Sequence, residues 1–163
     1  KDPLFNNEPD TLNYMIMKAN EYETNTPMLY MHTKGITHID PTLRKNIDAW
    51  VRYLDLYTIS KWEECVKALD SNDVAGGLYA DNPMKHFSGN FWWANSNHIK
   101  KLPKLPHKNE SIIGEVSTIS KMMYISDYFR YDHEAWIGCI QPWNYVSLFQ
   151  GDIEREVIRI TNT

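Results

Sequence analysis

His86-Phe87-Ser88-Gly89-Asn90-Phe91-Trp92-Trp93-Ala94-Asn95-Ser96-Asn97-His98-Ile99 is the stretch on which the fold turns. It reads as a polar turn, a short aromatic strand over 91–94, and a short helix from about Asn95 that Pro103 stops. Gly89 and Asn90 both tolerate positive φ, so they suit a tight turn whose backbone lies close to a neighbour. Alternation along the strand sends Trp92 and Trp93 to opposite faces. At most one of those rings stacks on a ligand, and the other belongs to the core.

Upstream, Val74 to Ala80 predicts a strand softened by Gly76 and Gly77, with Asp81-Asn82-Pro83 turning away from it. Asp10 is placed to cap a helix running to about Tyr22, with Leu12, Met15, Ile16 and Ala19 along one face. Thr26-Pro27 breaks the chain, and the apolar run Met28 to Met31 predicts a buried strand. That strand ends in His32-Thr33-Lys34-Gly35, a polar turn at its carboxyl end, where open α/β sheets place ligands. Asp40-Pro41 opens the next helix, along which Leu43, Ile47, Trp50, Val51 and Leu54 recur at helical spacing. Ser60 and Glu63 read as a capping box for a second helical piece carrying Trp62, Val66 and Leu69, closed by Ser71-Asn72-Asp73. Trp50 and Trp62, on amphipathic helices, are expected to pack in the core. Downstream, Pro103 to Asn109 reads as a loop, Ile112 to Met123 as helix and Ile153 to Ile160 as an alternating strand. Strands alternating with helices define the class as α/β.

The chain of 163 residues fits one domain, 1–163, with a substantial core. It holds 6 Trp and 10 Tyr, and because each of those rings carries a polar atom that needs a partner, some are expected to line a cleft. Lys and Arg number 17 against 21 acids, so no basic excess points to nucleic acid. No apolar run approaches the length of a membrane span and no signal peptide is recognisable. Cys65 and Cys139 form neither a disulfide framework nor a metal knuckle. The expected setting is the reducing cytoplasm.

A second informative stretch is Arg130-Tyr131-Asp132-His133-Glu134-Ala135-Trp136-Ile137-Gly138, acidic groups beside aromatics just ahead of a glycine. Paired rings next to small hydrogen-bonding residues make a platform for a flat polar ligand such as a sugar. A nearby carboxylate then suits proton chemistry on a hydroxyl. The histidines His38, His86, His98, His107 and His133 lack metalloprotease spacing and are expected at the surface or as satisfied polar groups.

Met31-His32-Thr33-Lys34-Gly35, Trp50 with Tyr53-Leu54, Gly89-Asn90-Phe91-Trp92-Trp93-Ala94 and Arg130 through Glu134 occur in that order. Together they resemble small glycosyltransferases of the GT-A fold found in large DNA viruses and in bacterial polysaccharide loci of the rhamnan-synthesis type. The resemblance spans roughly Glu8 to Gly138. It implies a GT-A-like mixed sheet flanked by helices, a nucleotide-sugar donor and a glycan or related hydroxyl acceptor. It also implies that His32, Thr33, Lys34 and Gly35 lie on the donor side. Ser88, Gly89, Asn90, Trp92 and Trp93 would lie under the sugars, and Glu134 would be the catalytic base. A divalent metal, Mn or Mg, usually sits on the donor diphosphate in such enzymes, held by an Asp-x-Asp that does not occur in this chain. The family's opening strand and helix have no counterpart before the first helix, so the amino-terminal part of the fold is expected to be abbreviated or missing.

Transfer places negative charge on the departing diphosphate, which Lys34 and the amides of its turn would meet without a metal. His32 would donate a hydrogen bond or ligate a metal through a neutral nitrogen. Glu134 is favoured as base in a partly dry setting supplied by Trp136 and Tyr131, with Asp132 as the other acidic candidate or a helix cap. Two rivals stand beside this reading: a non-catalytic carbohydrate-binding or inactive transferase-like domain, and a metal-dependent hydrolase.

Overall fold

The computed structural model describes residues 8–33, 40–80, 85–105, 136–138 and 144–148. The expected helix 112–123 and strand 153–160 lie outside them. The described architecture is mixed α/β, with α1 (Glu8–Glu21), β1 (Pro27–Tyr30), α2 (Pro41–Asp55) and a π-helical turn (Leu56–Ser60) first in the chain. After them come α3 (Trp62–Ala68), β2 (Val74–Gly76), β3 (Tyr79–Ala80), β4 (His86–Phe87), β5 (Trp92–Asn95) and α4 (Ser96–Ile99). A 3₁₀ turn (Trp136–Gly138) and β6 (Tyr145–Ser147) complete the description.

Four strands form a mixed sheet in the order β1-β5-β2-β6. β5 runs antiparallel to both β1 and β2, whereas β2 and β6 are parallel. The register aligns Tyr30 with Trp92 and Trp92 with Gly76, so these residues share one face; Leu29, Trp93 and Ala75 share the other. Over the first face α1 lays Leu12, Met15, Ile16 and Ala19, the i, i+3, i+4, i+7 stripe its sequence displays. Over the second face α3 lays Cys65 and Leu69, which meet Ala75 and the half-buried Trp93. Helices thus cover the sheet from both sides, each fully buried aliphatic side chain contributing about 1.5–3 kcal/mol.

Several boundaries differ from expectation for local reasons. α1 begins at Glu8, two residues before Asp10. β1 stops at Tyr30 and leaves Met31 exposed, because β1 is the last strand in the described order and is not enclosed on both sides. The expected strand 74–80 is two strands in two sheets: Leu78 adopts φ 58°, a left-handed conformation that breaks the extended run, and β3 then pairs with β4. Gly76 permits this crossing, since a Cβ there would lie 2.9 Å from the Phe87 ring and 3.1 Å from the Phe91 carbonyl.

No capping box forms at Ser60 and Glu63. Ser60 lies inside the π turn, Lys61 takes the N-cap position of α3 without a side-chain cap, and its N–H reaches back to the Leu56 carbonyl at 3.1 Å. The wide turn releases carbonyls that side chains then satisfy. The Cys65 thiol donates to Tyr57 O at 3.1 Å and the Trp93 indole to Thr58 O at 2.7 Å. Burial pushes the Cys65 thiol up to about 12, which keeps it protonated and unreactive. The extra backbone in the π turn also shifts the helical phase, so α3 buries Cys65 and leaves Trp62 about half exposed, against the expectation of a core residue.

The β5–α4 junction is tied on three sides. Asn95 spends its amide on Leu69 O and Asn72 O, both at 2.9 Å, and not on capping α4. Ser96 Oγ accepts from Thr26 N–H at 2.9 Å, and Asn25 Oδ1 accepts from Asn97 N–H at 3.1 Å. His98, almost fully buried, donates from Nε2 to Ile137 O at 2.7 Å and so anchors the 136–138 turn. Burial lowers the His98 pKa from 6.5, with the Ile137 acceptor opposing that shift. Below about pH 6.5 the unfolded chain therefore binds a proton that the folded protein resists, and stability falls as pH falls through that range. Urea midpoints measured from pH 7.5 down to 5 should decline for the native protein, and His98→Gln should flatten the decline.

Candidate functional site

The site candidates meet where β1 ends. Tyr30 and His32 are two residues apart on the same side of the chain, and their rings stack at a centroid distance of 6.0 Å with 16° between planes. Behind them Trp92 stacks on Tyr30 at 5.2 Å, and Trp136 tilts against Trp92 at 6.2 Å. A row of rings, His32–Tyr30–Trp92–Trp136, therefore crosses the α1 face of the sheet. Trp136 donates its indole N–H to Pro103 O at 2.8 Å, which secures the far end of the row.

The β4–β5 bend closes the corner. Gly89 has φ 89° and Asn90 φ 57°, the left-handed turn that their sequence predicts. Asn90 N–H donates to Phe87 O at 2.8 Å, Ser88 N–H donates to Leu78 O at 3.0 Å, and the hydroxyl of Ser88 lies 3.4 Å from His86 Nε2. His32 Nε2 donates to Gly89 O at 3.1 Å, and the edge of the Phe91 ring supports the imidazole at 5.6 Å. Two segments separated by more than fifty residues are thereby joined by one hydrogen bond.

The opposite nitrogen of the same ring, Nδ1, lies 2.5 Å from Glu8 Oε1 on the first turn of α1, with both side chains one-fifth exposed. Because a carbonyl only accepts, Nε2 carries a proton. The amides of the α1 amino terminus favour the carboxylate form of Glu8 beside Nδ1. The hydroxyl of Tyr30 is buried beside this pair and has no hydrogen-bond partner among the described residues. Burial, with the nearby Glu8 charge adding to it, pushes the Tyr30 phenol far above its ordinary range and keeps it neutral.

Of the expected site residues, the structure brings together His32, Gly89, Asn90 and Trp92, with Ser88 adjoining the bend and Thr33 exposed next to His32. Trp92 and Asn90 are wholly buried, and the Trp92 indole donates to Asn90 Oδ1 at 2.8 Å. Trp92 is thus the core member of the tryptophan pair and is no platform for a sugar ring. Trp93, on the opposite face, is half-buried against α3 with its indole N–H held by Thr58. Lys34, Gly35, Asp132 and Glu134 lie outside the described residues. Sequence reasoning missed Glu8 and Tyr30. An acidic residue in a helix's first turn was visible for Glu8, but nothing local indicated that it would meet His32.

His32 does not fit a metal ligand here, since both of its nitrogens face acceptors and neither presents a lone pair to a cation. Among the described residues no group of three or more His, Cys, Asp or Glu side chains converges on a metal position. Nor is any described helix long and apolar enough to cross a membrane.

The chain matches the family described as Domain of unknown function (DUF8361) over residues 6–140. No curated protein and no solved structure matches it.

Proposed function

We propose, starting from the fact that the chain belongs to the DUF8361 family, that this domain moves a sugar from a nucleotide-sugar donor to a hydroxyl of a glycan or related acceptor. The observation that supports it most is the corner in which His32, at the carboxyl end of β1, bonds the carbonyl of Gly89 at 3.1 Å. That brings a hydrogen-bonding imidazole and a glycine bend together at the end of a sheet strand. The ring row adds to this, because Trp136 sits on the same sheet face two residues after Glu134. A GT-A-like arrangement, with β1 leading to the donor turn and β5 crossing beside it, belongs to the same proposal.

In this reading the bond between the anomeric carbon and the diphosphate oxygen breaks, and its electron pair leaves with the nucleoside diphosphate. Lys34 and the amides of its turn meet that charge. The acceptor oxygen bonds the anomeric carbon while its proton passes to the Glu134 carboxylate, with Asp132 as the alternative base. Since His32 is engaged at both nitrogens, its role is to donate and to fix the corner. A divalent ion, if the donor needs one, is supplied with the substrate in the test.

The test is release of nucleoside diphosphate from a panel of UDP-, GDP- and dTDP-sugars with oligosaccharide acceptors, with and without Mn or Mg. Lys34→Ala should weaken donor binding at least tenfold, and Glu134→Gln should lower turnover by about 10²–10⁴-fold, the usual contribution of a general base. Wild-type turnover in Glu134→Gln together with unchanged donor binding in Lys34→Ala would overturn the assignment. Donor or glycan binding without release by the native protein would favour the second reading, a non-catalytic carbohydrate-binding domain. The burial of Asn90 and Trp92 in mutual contact removes both from sugar contact in either reading.

A further inference from the structure

We propose that Glu8 is a positioning residue for His32, holding the imidazole in the single orientation that the corner requires; this rests on the transferase reading of the same corner. Three contacts act on the ring: the Nε2 bond to Gly89 O at 3.1 Å, the stack on Tyr30, and the Glu8 carboxylate at 2.5 Å from Nδ1. The first two leave the ring free to pivot in its own plane about the Nε2 contact, since stacking is tolerant of rotation within the plane. A carboxylate against the opposite nitrogen removes that freedom, because pivoting the ring then loses the close contact at Nδ1.

Glu8 can do so only because α1 and β1 run back on each other. The first turn of α1 thereby lies beside the last residues of β1. The helix terminus favours a carboxylate at that point. The charged or titratable groups facing His32 among the described residues are Glu8 from α1 and the neutral Tyr30 phenol from β1. From the bend come the Gly89 carbonyl and the Phe91 ring edge.

The experiment uses the whole chain with Glu8→Ala and Glu8→Gln. Glutamine keeps the reach of Glu8 and its amide can bond Nδ1 whether that nitrogen donates or accepts. Two readouts are taken: imidazole ¹⁵N–¹H spectra, assigned by loss of the His32 signals in His32→Ala, and steady-state kinetics on a productive donor. Glu8→Ala should erase the slowly exchanging Nδ1 proton and lower kcat by about 10²-fold with KM nearly unchanged, the scale of a misplaced catalytic group. Glu8→Gln should recover most of kcat. A purely structural ion pair would shift the melting temperature and leave kcat and the glutamine rescue without effect, which would overturn the proposal. An unchanged Nδ1 signal in Glu8→Ala would overturn it as well. If the native protein turns over no donor, the transferase reading fails and the spectra alone decide whether Glu8 orients His32.

Discussion

Replacing Trp92 with alanine is expected to lower stability by about 3–5 kcal/mol, the range for removing a large aromatic side chain from a packed core. On a chain of this size that corresponds to roughly 10–15 °C in melting temperature. Trp92 is wholly buried at the centre of the sheet, on β5 between β1 and β2. Its ring touches Tyr30 on one side and Trp136 on the other. Removing it deprives Asn90 Oδ1 of the indole donor at 2.8 Å, so an oxygen in a dry setting loses its bond in addition to the cavity. Trp92→Phe should recover most of the packing but not that hydrogen bond, and is expected to cost about 1–3 kcal/mol, the penalty of leaving a buried polar atom without its donor. Thermal and urea unfolding of both variants measure the difference. A cost for alanine below 1 kcal/mol would contradict the placement of this ring in the core.

Gly89→Ala is the second large effect, and its expected cost is about 2–5 kcal/mol. The glycine has φ 89°, where an L side chain is strained by about 1–2 kcal/mol. A Cβ would also lie 2.6 Å from Leu54 Cδ1 and 3.4 Å from the Trp50 ring. Leu54 is fully buried with Tyr53, Tyr57 and Phe91, so it gives way only by disturbing that cluster, at about 1–3 kcal/mol for overpacking. The two contributions are separable. In a Leu54→Ala background the steric part disappears and the backbone part stays, so Gly89→Ala should cost less there than in the native chain. Because the Gly89 carbonyl is the acceptor for His32, the same substitution should also lower donor turnover in the transferase assay. Additive costs in the double variant would show that Leu54 does not crowd the bend.

Much of the framework was legible because it is local. The buried stripe of α1, Leu12, Met15, Ile16 and Ala19, follows from 3.6-residue periodicity. The opposite placement of Trp92 and Trp93 follows from strand alternation, and the positive φ at Gly89 and Asn90 from the residues that accept it. The π turn over Leu56–Ser60 was not legible. Leu56-Tyr57-Thr58-Ile59-Ser60 has no residue that demands it, and what satisfies its released carbonyls, Cys65 and Trp93, comes from α3 and β5. Trp62 was misjudged for the same reason, since the phase of α3 depends on that turn.

The sequence by itself determined the α/β class, the faces of α1 and β5, and the bend at Gly89-Asn90, because periodicity and backbone preference act between residues a few positions apart. Only the tertiary structure decided that Glu8 grips His32, that Trp92 is the core ring, and that Asn95 holds Leu69 and Asn72 without capping its helix. Those pairings depend on elements folding back to meet, and a carboxylate carries no local mark of the imidazole that a returning strand will bring beside it.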